Sequence, residues 1–209
     1  MKNKTTFYIG ILGASLFVIS SILGGILIEG YNEISQLISE TYAIDTEYGE
    51  VLRFIAIIPS GILLTLFAFL AYKKLPRSKL TKWGFLIFGI CYGIATVIVG
   101  IFPCDSGCNK EFINPSLSQI IHNLIGSLTY MFVPLSMILI GIALSKFPTY
   151  KNLSRLGITC GIVGYLFVFL FISEPTSDYI GLYQRIIESV FILWIISYAL
   201  YLRNLDISG

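Results

Sequence analysis

The sequence predicts an all-α fold, a polytopic membrane helical bundle of six transmembrane helices with N- and C-termini cytoplasmic. Three observations predict it. Hydrophobic residues fill 56% of the 209 positions and charged residues only 12%, whereas a soluble domain carries roughly 25% charge. Six mostly apolar segments approach or exceed the roughly 20 residues a helix needs to cross hydrocarbon: 7–28, 51–72, 83–102, 120–144, 156–172 and 182–202. Finally, eleven of the fourteen Lys and Arg fall in alternate connections or beside the termini, and cations in short loops are retained on the cytoplasmic side.

The first segment follows Lys2 and Lys4 but is too long for the apolar core of a signal peptide, and no small-residue cleavage site follows it, so it reads as a retained anchor. The connections 73–82 and 146–155 hold eight of those cations together with Pro76 and Pro148. Being short, they make consecutive spans antiparallel neighbours. On the opposite side lie Arg53, Lys110 and Arg185, with every acid except Asp206. The first outer connection repeats Tyr31, Ile34, Leu37, Ile38 and Tyr42 at helical spacing, which predicts a short amphipathic helix capping the bundle or gating a cavity. Gly89-x-x-x-Gly93 and Gly157-x-x-x-Gly161 predict close helix packing. Pro59 and Pro134 each remove a backbone donor inside a span.

Little chain is left outside the spans, so residues 1–209 read as one integral membrane domain whose partner is the lipid bilayer. The location expected is the cytoplasmic (cell) membrane, multi-pass. Nucleic acid is excluded as a partner, because no basic run is interleaved with aromatics. Nothing in the pattern addresses oligomeric state. No cofactor motif is present. A metal is poorly served by one histidine, dispersed carboxylates and no clustered thiolates.

The chemistry-bearing residues gather near one membrane face. Three outward-running spans end near an acid (Glu29, Asp105, Glu174), and the next span begins near a cation or the single histidine (Arg53, His122, Arg185). Each sits at the end of the helix that its dipole disfavours, at about 0.3–1 kcal/mol apiece, and pairing across helices could offset this. Gln184, Arg185 and Glu188 share one turn of the last span, and Asn123 adjoins His122. Ionisable residues within spans usually face a bundle interior and mark a pocket or pathway. This pattern suits an outer pocket for an amphiphile with an anionic head, such as a lipid-like or polyprenyl ligand. Arg53 and Arg185, with Gln184, Asn123, Glu29 and Glu174, would line it and the arginines would hold the head. If the pocket is catalytic, His122 is the base and Asp105 or Glu188 orients it.

Three other readings stay open. The polar residues could be interhelical staples of a non-catalytic structural or accessory protein. A small-solute or ion transporter is the second, although paired broken helices are missing. A thiol–disulfide oxidoreductase is the third. Cys104 and Cys108 lie five residues apart inclusive, one longer than a Cys-x-x-Cys pair, and Cys91 and Cys160 are placed too far back to relay electrons. A disulfide pinning the outer turn is therefore the leading expectation for Cys104 and Cys108.

Several stretches together carry a family resemblance: Tyr31-Asn32-Glu33-Ile34-Ser35-Gln36-Leu37-Ile38-Ser39-Glu40, Phe102-Pro103-Cys104-Asp105 with Gly107-Cys108, His122 early in its span, and Gly181-Leu182-Tyr183-Gln184-Arg185. In order and spacing the chain resembles the bacterial and archaeal membrane proteins grouped as domain of unknown function 998. Glu33 stands where such proteins often have proline. The resemblance implies a six-helix membrane fold and points to Asp105, His122, Gln184 and Arg185; it implies no reaction.

Overall fold

The computed structural model describes residues 3–205; Lys2 and Asp206, both part of the charge asymmetry, lie outside the described residues. Six helices are long and apolar enough to cross a membrane: α1 Lys4–Leu27, α2 Gly49–Lys74, α3 Lys79–Ile101, α4 Leu117–Leu144, α5 Pro148–Ser173 and α6 Ile180–Asn204. Each packs against its neighbours in sequence, and α1 closes on α6 to complete a ring. The short lysine-bearing connections lie at one end and the long, acid-bearing ones at the other, called here the lysine end and the loop end.

Local sequence explains the helix boundaries. Ser78 and Ser116 cap α3 and α4 by accepting from the amides of Thr81 and Gln119 at 3.0 and 3.1 Å, satisfying donors that have no partner within the helix. In α2, Pro59 lies two residues after the end of a π-helical turn, Arg53–Ile57, and α3 holds a second one, Gly89–Ile94. Such turns insert a residue and re-aim side chains, and they concentrate at functional sites. The two helices meet with their backbones in contact. A Cβ on Gly61 would stand 2.7 Å from the Gly93 carbonyl oxygen, so only a residue without a side chain fits there. Inside α4, Pro134 leaves the helix ladder one donor short, and Tyr165 of α5 donates to the nearby Met131 carbonyl at 2.8 Å.

The core runs along the ring's axis and is densest towards the lysine end. Trp194 and Tyr198 of α6 are fully buried, their rings 4.2 Å apart, and Phe88 of α3 lies 4.8 Å from Trp194. Tyr92 and Phe191 continue this aromatic column upward at 5.5 Å.

The first loop-end connection differs from the amphipathic helix predicted for it. Asn32 turns the chain by accepting from the amides of Ile34 and Ser35, and the only helical turn is a 3₁₀ segment, Ile38–Tyr42, all five residues of which are buried. Side-chain-to-backbone bonds of this kind compete with regular helix. The segment tucks over the mouth of the ring as a lid.

Candidate functional site

Beneath the lid the ring is hollow. A cavity of about 260 Å³ is bounded by the lid, α3, α4 and α6, with Phe17 of α1 and the end of α5 adding to its wall. Its polar wall is built from positions one or two turns apart. Tyr92, within the π-helical turn of α3, donates its hydroxyl to Glu188 of α6 at 2.8 Å. One turn earlier on α6, Gln184 donates to the Tyr130 hydroxyl of α4 at 2.9 Å and accepts from the lid amide of Ile38 at 2.6 Å. Tyr130 is also a hydrogen-bond partner of Glu188. Glu188 is 7% exposed and Gln184 8%. Across the cavity His122, equally buried, sets Nδ1 2.9 Å from the Phe102 carbonyl oxygen. That contact assigns the ring proton to Nδ1.

The residues picked out by sequence divide into those the fold gathers and those it does not. Gln184, Glu188, His122 and Asn123 all line the cavity. Asn123 accepts from Gln119 at 2.7 Å. Neither Arg53 nor Arg185 lines it. Arg53 donates to the Tyr42 carbonyl at 3.2 Å. Arg185 Nη1 donates to the carbonyls of Glu33, Gln36 and Gly181 at 2.7, 2.8 and 3.1 Å, and Nη2 to the Tyr31 hydroxyl at 2.6 Å. Both guanidinium groups therefore hold the lid. Glu29 and Glu174 are exposed at the loop end, outside the cavity.

Asp105 serves the loop. Its carboxylate accepts from the backbone amide of Ser116 at 3.0 Å and from the Ser116 hydroxyl. Those bonds hold its carboxyl below the ordinary value of 3.8. The hydrogen bond of His122 goes to the Phe102 carbonyl, and the two acids expected to orient it bond to Ser116 and Tyr92 instead. The sulfurs of Cys104 and Cys108 lie at disulfide distance, with their Cα atoms 4.8 Å apart. They pack beneath the lid against Ala43 and Leu37. A further anchor of the lid is an ion pair, Lys110 to Glu40, at 2.8 Å. In the lid, burial raises the phenol pKa values of Tyr31 and Tyr42, keeping both hydroxyls protonated donors at neutral pH.

Sequence reading did not single out Tyr92, Tyr130 and the Glu40–Lys110 pair. For the tyrosines a signal was available, since Tyr usually concentrates at membrane interfaces and a hydroxyl deep in a span requires a partner. Among the described residues no group of three His, Cys, Asp or Glu side chains is placed to hold a metal ion.

Comparison with known proteins bears on the fold and leaves the chemistry open. The model of a family described as protein of unknown function (DUF998) matches residues 11–201. The chain belongs to that family. No curated protein and no solved structure matches it. Membership agrees with the six-span architecture, and of the four positions to which the resemblance points, His122 and Gln184 line the cavity.

Proposed function

We propose that the loop-end cavity binds a small amphiphile whose polar end donates hydrogen bonds, an alcohol or an amine, and that the lid encloses it. The observation that carries this reading is Glu188, a buried carboxylate on the cavity wall whose partners are tyrosine hydroxyls. An ionisable side chain inside a span is costly to insert, and such residues mark pockets and pathways. The alternation of cations supports an extracytoplasmic position for this end.

The anionic-head version finds less support in the geometry. Arg53 and Arg185 direct their bonds to the lid's main chain, and Lys110 is paired with Glu40. A staple reading is favoured at one place, Arg185, whose four bonds all stay within the protein.

The test is a thermal-shift series in lipid nanodiscs with hexanol, hexylamine and hexyl phosphate. The alcohol and amine are expected to stabilise the native protein and to lose that effect in Glu188→Gln. Preference for hexyl phosphate would restore the anionic-head reading. No shift with any of the three would leave the polar residues as staples.

A further inference from the structure

A second hollow lies on the outside of the ring, between α1 and α6. It is a groove of about 520 Å³ lined by Val18, Ser21 and Ile22 of α1 and by Ser189, Leu193 and Ile196 of α6. Val18, Ile22 and Leu193 are exposed, and in a spanning helix an exposed apolar face meets hydrocarbon. Two serines among bulky aliphatics deepen the groove, and Ser189 is itself exposed. Three residues, Phe17, Ile38 and Glu188, line both the groove and the cavity. The partition between lipid and cavity is therefore one side chain thick, and one of those side chains is the buried acid. Arg185 and Glu33 stand at the groove's loop end. From Glu188 to Ile196 the helix rises about 12 Å, and the groove follows it towards the middle of the bundle.

We infer that this groove holds the hydrocarbon tail of a single-chain lipid whose polar end meets Glu188, making the ligand a long-chain alcohol or amine taken from the bilayer. The inference deepens the cavity reading and rests on it. Membrane embedding decides the occupant. A groove open to hydrocarbon along its length is filled by a chain, and the acid at its inner wall offers that chain's head an acceptor in otherwise apolar surroundings. A head that reaches Glu188 from the groove stands at the wall the two spaces share.

The experiment uses the full chain in nanodiscs with a hexadecanol probe carrying a mid-chain diazirine, and maps the adducts by mass spectrometry. Adducts are expected to concentrate on Val18, Ile22, Leu193 and Ile196, and to fall at least tenfold in Ser189→Trp and in Ser21→Trp, which block the groove from its two walls. Hexanol should still stabilise both variants, which shows that they fold and keep the cavity. Even labelling of lipid-facing positions such as Ile162 and Phe169 of α5, which are 59% and 66% exposed, would overturn the groove while leaving the hexanol shift, and hence the cavity, intact. Adducts that persist at the groove in Glu188→Gln would overturn the placement of the head. Loss of the hexanol shift from the native protein would overturn the cavity reading itself.

Discussion

The two ends of the bundle are built from the same six helices but on opposite principles. At the lysine end α3 and α6 interlock through Trp194, Tyr198, Phe85 and Phe88, with ring separations from 4.2 to 6.5 Å. At the loop end the helices part around a cavity, and the lid is held by polar bonds from Arg185, Arg53, Lys110 and Gln184. Lipid competes equally for apolar surface, so packing has to hold the first region together. The second gives up packing to create space, and directional bonds keep it closed. On the proposed reading stability and binding fall to different ends, and substitutions should separate them.

The largest effect is expected from Trp194→Ala. Removing a fully buried indole should cost roughly 3–5 kcal/mol, read as a loss of thermal stability in detergent. Next comes a pair of glycines. At Gly161 a Cβ would stand 2.5 Å from Ile138 Cγ1 and 2.7 Å from the Pro134 carbonyl oxygen. Gly161→Ala should therefore destabilise by about 1–3 kcal/mol. At Gly126, on the cavity wall, a Cβ meets nothing within 4 Å. Gly126→Ala should stabilise by up to about 1 kcal/mol through helix propensity. If both glycines behaved alike, the contrast between close-packed and open parts of the bundle would fail.

Arg185→Met tests the lid. A hydrogen bond to a charged group contributes about 1.5–3 kcal/mol, so the variant should lose roughly that much stability. Amide exchange should rise over residues 31–42 and remain unchanged in α3 near Phe88. The smallest effect belongs to Asp105→Asn, under about 1 kcal/mol for a partly exposed carboxylate. Its sign with pH is fixed by the lowered folded value. The native advantage is complete above the ordinary 3.8 and fades as pH falls through the folded value, so native and variant unfolding curves should converge in acid.

The difference between the ends also separates what was readable in the sequence from what was not. Six apolar runs and the alternation of cations are one-dimensional signals, and all six spans could be read from them. The position of Glu188, Gln184 and His122 near one face was readable too, because helix direction places them there. Their partners were not. Tyr92 meets Glu188 across 96 positions of chain, through a π-helical turn that apolar periodicity does not announce. The place of the arginines was hidden in the sequence for a physical reason. A guanidinium beside a ligand and one that clamps a loop's carbonyls carry the same residue type at the same depth, and only the path of the lid distinguishes them. That path in turn depends on Asn32 and Gln184 forming side-chain bonds to the backbone, which broke the helical pattern expected between Tyr31 and Tyr42.

The measurement that bears most directly on the central claim is native mass spectrometry of the protein released from nanodiscs loaded with hexadecanol, native chain beside Gly126→Phe. The substitution extends a ring into the cavity from a position where a Cβ meets nothing within 4 Å. The account predicts one bound hexadecanol on the native protein and none on a Gly126→Phe variant that melts at or above the native temperature. A variant that kept the bound mass, or a native protein that never carried it, would contradict the cavity as a ligand site.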